Sequence, residues 1–584
     1  MKRLLFIVAF LLASANLFAD AVSRDKAESI ASGFLNGGPA VKSGQHSLTL
    51  VENSALTKSS GAPTYYIYNR KGGGFVIVSA DDCAKPILAY SRTGSFSTED
   101  MPENLRSWLC FLDKEISFAR AEGSARCPLW DNVKVAGSPV VELKTALWNQ
   151  STPFNDMCPK VGEKKTLTGC VATAGAILCK YYNWPESGKG TTMAYTTGEI
   201  SVPSRNLNHP YDYSHMREDN YSTYSEEEAK AVALLMADMG AACQMQYGVS
   251  ASGSNTQHLS AALAKNFSYS KAMVYRPRSG YSEEEWTRMI VDDLNESHPL
   301  IYTGYSTSGE GHQFILDGYD NEDFYHFNWG WGGSSNGYFQ LSALVAGGTN
   351  LTSEQEAIFN AVPDRDESTS YVDNLCIYAY SANEKNYPGL SLSTDGPVYT
   401  GVPFSVDLSC VANFGIMNFN GNVWIAVCDK NGNLKEKVSS PIEVTLEPNY
   451  LSWFLGERCE IKEIIEGGDK LRVYYEGGFS SGWCSAWGEG TVAEILLKDK
   501  DTFSADEISH ATSIEVNRKT KSILLSPRFE VHYELKPASG GAAVAEGNAD
   551  ADAAANLSYA SIVPGTYCLS ISAGEEPLVI NVIF

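Results

Sequence analysis

The run Thr168-Gly169-Cys170-Val171-Ala172-Thr173-Ala174-Gly175-Ala176-Ile177-Leu178-Cys179-Lys180-Tyr181-Tyr182-Asn183-Trp184-Pro185 restricts the fold more than any other part of the chain. Small and apolar residues follow Cys170 for about three helical turns until Pro185 ends them, which sets Cys170 at the N-terminus of a helix. There the peptide dipoles and unsatisfied N–H groups favour thiolate over thiol, and thiolate is the nucleophilic form. The competing reading is a buried structural cysteine. Cys179 fits it, because nine residues on, at about 100° per residue, it falls on the opposite helix face.

A thiolate nucleophile needs a base, and the base needs a third group to hold it. Of nine histidines, His312 is singled out by its setting. His312-Gln313-Phe314-Ile315-Leu316 reads as one strand and Phe324-Tyr325-His326-Phe327-Asn328-Trp329 as the next, with a turn-rich segment between them. In a hairpin symmetric about Asp320, His312 faces Asn328, whose side chain would hold the imidazole through its second ring nitrogen. A bulge would shift that register. His326 is the rival base, its other reading being a packed, hydrogen-bonded histidine between aromatics. The 142 residues from Cys170 to His312 match the spacing of papain-like Cys and His, although the Cys-Gly-[Ser/Ala]-Cys-[Trp/Tyr] signature is absent. Gln150, twenty residues before Cys170, could join the Cys170 N–H as an oxyanion donor, or be a surface or capping glutamine. Asn328-Trp329-Gly330-Trp331-Gly332-Gly333 is either part of the site or a tight glycine turn between core tryptophans. It is no nucleotide loop, since no Lys follows and no long helix opens.

Around this centre the chain changes texture. Met1-Lys2-Arg3, an apolar Leu4 to Ala15 and a small residue at Ala19 form a secretory signal over 1–19. A front segment, 20–140, carries a helix-like Ala21 to Phe34, strands Tyr65-Tyr66-Ile67-Tyr68 and Phe75-Val76-Ile77-Val78 joined by a glycine hairpin, and a helix through Leu105, Trp108, Leu109, Leu112 and Ile116. Residues 122–146 read as an exposed linker or processing region. From 145 to 364 helices (Glu226 to Gly240, Glu283 to Leu294) mix with strands. After the acidic Asp364-Arg365-Asp366-Glu367 only strands and turns are legible, with β-rich runs at 404–408, 423–427 and 471–475, which predicts a sandwich over 366–500 and a further β-rich module over 505–584.

Gly169-Cys170-Val171-Ala172-Thr173-Ala174, Gly311-His312-Gln313-Phe314-Ile315-Leu316-Asp317-Gly318 and Tyr325-His326-Phe327-Asn328-Trp329-Gly330-Trp331-Gly332-Gly333 together resemble the streptopain family of secreted bacterial cysteine peptidases, papain-like in fold. The resemblance implies Cys170 as nucleophile, His312 as general base and Gln150 as oxyanion donor, with Asn328 and Trp329 at the family's Asn-Trp position. It implies a catalytic domain over 145–364 and an inhibitory propeptide over 20–140, which includes Gly74-Phe75-Val76-Ile77-Val78-Ser79-Ala80-Asp81-Asp82. The fold class expected is α+β: a papain-like domain behind an α+β propeptide and ahead of β-sandwich modules, which look immunoglobulin-like in longer relatives.

Charge narrows the alternatives. With 45 Lys+Arg against 69 Asp+Glu, a net −24, nucleic acid and anionic lipid are disfavoured partners. Beyond the leader no apolar run approaches the roughly 20 residues of a membrane helix. Thirteen Cys in 584 residues is too few for a disulfide scaffold, and the odd count leaves a thiol over if the rest pair. No HExxH occurs, and Asp429-Lys430-Asn431-Gly432-Asn433 reads as a hairpin turn rather than a Ca²⁺ loop. The expectation is an exported cysteine endopeptidase zymogen that needs no metal or other cofactor, acting on protein or peptide substrates and held by its own propeptide. The alternative is a surface adhesion protein whose C-terminal sandwiches bind host protein or glycan, with a vestigial or self-processing peptidase domain.

Overall fold

The computed structural model describes residues 19–36, 47–51, 62–99, 101–278, 281–305, 311–344, 355–382, 385–393, 398–480, 482, 484–488, 493–498, 503–550, 553–558, 561–573 and 576–584. The expected export signal lies outside them except for residue 19. The chain divides into two units, Met1–Val372 and Asp373–Phe584.

The first unit opens with α1 (Arg24–Asn36), an antiparallel meander of β1 (Leu48–Leu50), β2 (Tyr65–Arg70), β3 (Phe75–Ser79) and β4 (Ile87–Ser91), then α2 (Glu103–Ala121). Every residue of β3 is buried, because Val76 and Val78 pack toward Ala27, Ala31 and Phe34 of α1 while Phe75 and Ile77 join the stripe Leu105, Trp108, Leu109, Leu112 and Ile116 of α2. Side chains alternate across a strand, so a strand covered on both faces is apolar throughout.

After β5 (Pro139–Glu142) come α3 (Cys170–Tyr182), α4 (Glu226–Ala242), α5 (Thr256–Asn266), β6 (Val274–Pro277), α6 (Glu283–Asn295), β7 (Leu300–Tyr305), β8 (Gly311–Asp320), β9 (Tyr325–Asn328), β10 (Gly337–Phe339) and β11 (Gln355–Phe359). Capping boxes Ser225/Glu228 and Ser282/Glu285 start α4 and α6. The front meander does not stop at the front segment. β4 pairs with β10 through Tyr90↔Tyr338 and Ala89↔Phe339, giving one sheet in the order β1-β2-β3-β4-β10-β9-β8-β7-β11-β6, with β5 on β8.

Two expectations are corrected here. The β8/β9 hairpin is not symmetric about Asp320: Asn328 pairs with Ile315 and His326 with Gly318, with a register shift between Leu316 and Gly318. The turn is centred near Glu322 rather than Asp320, so Asn328 falls opposite Ile315 and not His312, which instead pairs with Gly304 of β7. The stretch 122–146 is not loose throughout. Trp130 is buried and donates its indole N–H to the Ala84 carbonyl (2.7 Å), Arg126 pairs with Asp82 (3.0 Å), and β5 is already in the sheet. Among the residues that stay exposed are Asp131, Asn132, Lys134 and Val135. The first unit also runs past the acidic segment, since the Asp364 N–H bonds the Ser268 carbonyl (2.9 Å) and the Lys271 N–H bonds Thr369 Oγ1 (3.0 Å).

In the second unit, strands Leu375–Ile377, Leu390–Leu392, Phe404–Asn413 and Leu451–Cys459 form one sheet and Phe419–Cys428, Leu434–Lys437, Ile442–Leu446, Lys470–Gly477, Cys484–Ser485 and Glu494–Leu496 another. Both contribute to one apolar core around Val406, Leu408, Val423, Ile425, Leu471 and Val473. A second core, around Ile523, Leu525, Leu535, Leu569 and Ile571, joins two further small sheets after the seven-residue helix Ala505–Ala511. The Asp429 segment is a hairpin turn: Asp429 Oδ1 accepts the N–H groups of Asn431 and Asn433, both at 2.8 Å.

Candidate active site

Cys170 is the first residue of α3, as its sequence setting requires, and Asn183 ends the helix in the left-handed conformation before Trp184-Pro185. Gly169 approaches with φ +86°, where a Cβ would come within 2.1 Å of Met245 Cε and 2.7 Å of the Ser252 carbonyl oxygen. Only glycine takes that backbone and that space. Three backbone N–H groups point at the Cys170 sulfur, those of Gln313, Val171 and Cys170 itself. Such donors favour thiolate. Burial dominates nevertheless and, with Glu103 acting in the same direction, holds the thiol above its ordinary value. The low-pKa thiol expected from the helix N-terminus is therefore not what the covered chain contains.

Cys170, Gln150 and His312 line one cavity of about 480 Å³. Trp331, Leu167, Gln244, Gln246, residues 251–255 and His258 complete the wall on the catalytic side. His258 sits in the first turn of α5, and burial holds it below its ordinary value. The remaining wall is Glu103 and Asn104, the start of α2 in the front segment. Asn104 is 2% exposed and donates its side-chain N–H to the Trp329 carbonyl (2.6 Å) and, more distantly, to that of Gln313 (3.4 Å). Trp108, one α2 turn on, packs where Gly304 has no side chain; a Cβ there would lie 3.3 Å from the indole. Further contacts hold the front segment down. Tyr90 donates to Asp320 Oδ2 (2.6 Å), and the buried Glu115 accepts the Ala343 N–H (2.7 Å) and the Ser342 hydroxyl (3.0 Å). Burial pushes the Glu115 carboxyl up to about 7, although those two donors pull the other way.

The other residues singled out in the sequence lie off this cavity. Asn328 is fully buried; its amide donates to Thr145 Oγ1 (2.9 Å) and the Ala146 carbonyl (3.0 Å), and its oxygen accepts the Gly330 N–H (3.2 Å). Thr145 in turn donates to Asp317, which holds His326 Nδ1 at 2.5 Å. Asn328 thus belongs to the network of His326, not of His312. Burial works against the His326 imidazolium, but Asp317 outweighs it and raises the group above its ordinary value. With Tyr338 beside its ring, His326 is the packed, hydrogen-bonded histidine of the alternative reading. Trp329 is fully buried among Phe314, Phe327 and Phe339, its indole N–H on the Ser335 carbonyl. Cys179 is fully buried against Tyr269, and burial raises it to about 12.

Trp331, the Gln313 N–H, His258 and the Glu103-Asn104 cover were not identified from the sequence. Trp331 lies in the Asn328–Gly333 run, while the cover carries no motif and depends on how the front meander joins the catalytic strands. A cysteine with three N–H donors, sharing a cavity with a histidine beneath a covering helix, has the parts for thiol-based acyl transfer in a closed form.

Residues 148–339 match the Peptidase C10 family and residues 19–116 match the Spi protease inhibitor family. Streptopain of Streptococcus pyogenes is 32% identical over 372 residues, 59% of this chain and 92% of that protein. The thiol protease/hemagglutinin PrtT of Porphyromonas gingivalis is 31% identical over 413 residues, 65% of this chain but only 46% of that protein. Prointerpain A of Prevotella intermedia is similar at 28% identity, over 55% of this chain and 99% of the solved fragment, with a TM-score of 0.46. The class is that of a cysteine peptidase carrying an inhibitor domain in front. The chain belongs to the streptopain family, Peptidase C10. Among the described residues no helix is long and apolar enough to cross a membrane.

Proposed function

We propose that the chain is an exported zymogen of a cysteine endopeptidase in which Cys170 attacks the peptide carbonyl. Gln150 and the Cys170 N–H receive the oxyanion, and His312 shuttles the proton to the leaving amine before water hydrolyses the acyl-enzyme. The observation that carries this reading is the single cavity shared by Cys170, His312 and Gln150, closed by Glu103 and Asn104 of α2. Residues 20–140 are the inhibitory propeptide, 145–372 the peptidase domain, and export uses 1–19. Cleavage at the exposed 131–135 stretch releases the cover. Protein or peptide chains are the substrates, and membership of the streptopain family supports this over a vestigial domain on an adhesin. The two cores of the second unit, each lined by two sheets, support a pair of β-sandwich modules of immunoglobulin-like build.

Cys170→Ala tests the reading. It should abolish peptide cleavage and leave the chain unprocessed, with the front segment still attached. If Cys170→Ala keeps wild-type turnover while Cys179→Ala loses it, the assignment is wrong.

A further inference from the structure

One face of the central sheet carries a polar row that ends beside His312. The strand register sets Gln313 of β8 opposite Thr303 of β7, and Thr303 opposite Glu356 of β11. Gln313 and Thr303 are each 2% exposed, Glu356 9%. Thr256, the first residue of α5 and 1% exposed, roofs the row. Its Oγ1 accepts the Gln313 side-chain N–H (2.7 Å), lies 3.2 Å from Thr303 Oγ1 and donates to Glu356 Oε2 (3.0 Å). The other Glu356 oxygen accepts the Tyr275 hydroxyl. The Gln313 side-chain oxygen is buried with no hydrogen-bond partner among the described residues, so the Gln313 amide is held through its nitrogen alone, and the bonds of that nitrogen, Thr256, Tyr275 and Glu356 fix geometry that an apolar core leaves freer.

The location gives that rigidity a use. Gln313 follows His312 directly, and its backbone N–H is one of the three donors at the Cys170 sulfur. Thr256 follows the 251–255 loop that walls the cavity. We infer that Gln313 is a positioning residue: its side chain, anchored on Thr256 and through it on Glu356, fixes the strand end bearing His312 and aims the Gln313 N–H at the Cys170 sulfur. The inference rests on the reading of Cys170 as nucleophile. The titratable groups that face the sulfur across the cavity are Glu103, His258 and His312, and Glu103 departs with the front segment.

The test uses the processed enzyme and the pH dependence of Cys170 alkylation by iodoacetamide, together with kcat and KM. An N–H aimed at a thiolate is a charge-assisted hydrogen bond, and losing its aim is expected to cost about one pKa unit, a tenfold change. Gln313→Ala and Thr256→Val should therefore move the alkylation profile up by about one pH unit and lower kcat about tenfold, with KM within about twofold. Thr256→Ser, which keeps the hydroxyl, should behave as wild type. If Gln313→Ala fails to fold, Thr256→Val decides. A processed Thr256→Val enzyme with wild-type alkylation profile and kcat overturns the inference, as does a loss that Thr256→Ser shares. Wild-type activity that survives complete Cys170 alkylation instead refutes the nucleophile reading, and the inference with it.

Discussion

Glu115→Gln isolates how strongly one buried carboxyl makes the front segment's grip depend on pH. Glu115 is fully buried between α2 and the Ser342-Ala343 backbone, and its carboxyl is raised from 4.5 to about 7. A carboxyl whose value is raised in the closed state binds its proton more tightly there, so closure is favoured in acid. The advantage fades as pH rises from 4.5 and is fully lost above 7. From these two values the opening constant, relative to its acid limit, rises about 4-fold by pH 5 and about 290-fold by pH 8, a span of about 70-fold. The full shift corresponds to about 3.4 kcal/mol. Lys85 lies in the same interface, held below its ordinary value by burial, with Glu283 and Arg278 nearby. It acts in the opposite sense, so the informative comparison is wild type against Glu115→Gln. The assay is the Cys170 alkylation rate of the zymogen divided by that of the processed enzyme at each pH, which cancels thiol ionisation and leaves opening. The wild-type ratio should climb between pH 5 and 8 about 70-fold more steeply than the Glu115→Gln ratio. Equal slopes would refute the reasoning.

Asn104→Leu removes the bond to the Trp329 carbonyl, and its zymogen should show premature activity in a fluorogenic peptide assay while the processed enzyme is unchanged. His326→Ala removes the imidazole from the buried Asp317 and leaves it the Thr145 hydroxyl. It should destabilise the protein by roughly 3 kcal/mol, read as a lower Tm, with kcat of the processed enzyme within about threefold, whereas His312→Ala should lose several orders of magnitude in kcat. Gly169→Ala meets Met245 and Ser252 and should abolish processing by displacing the first turn of α3, seen as an uncut chain on a gel. A chelator should leave the activity of the reduced enzyme unchanged, and loss reversed by Zn²⁺ or Ca²⁺ would contradict a purely thiol mechanism.

Much of this was legible because it is local. The helix beginning at Cys170 follows from small residues closed by Pro185, the stripe of α2 from its spacing, and the β3 strand from four apolar residues in a row. His312 and Gln150, which spacing and the family resemblance single out, line the same cavity as Cys170. What was not legible depends on distant parts of the chain. The turn-rich segment between β8 and β9 offers several possible centres, and the hairpin turns near Glu322 rather than Asp320, which sets Asn328 opposite Ile315 and on Thr145 rather than opposite His312. The continuation of the front meander into the catalytic sheet through β4 and β10 rests on a pairing of residues some 250 positions apart. For the same reason the Glu103-Asn104 cover, and with it the raised Cys170 thiol, lay beyond periodicity. The polar row through Gln313, Thr303 and Glu356 was hidden because each residue looks unremarkable until three strands align.

The nucleophile is the central claim, and active-site-directed labelling tests it most directly. The processed enzyme is titrated with a thiol-reactive peptide inhibitor while activity is followed, and the modified residue is then located by mass spectrometry. Ten of the thirteen cysteines lie after residue 140 and compete for the label. The account predicts that activity falls in proportion to one equivalent of label, all of it on Cys170, and that peptide substrate protects it. Complete modification of Cys170 with activity retained, or loss of activity tracking another cysteine, would contradict it.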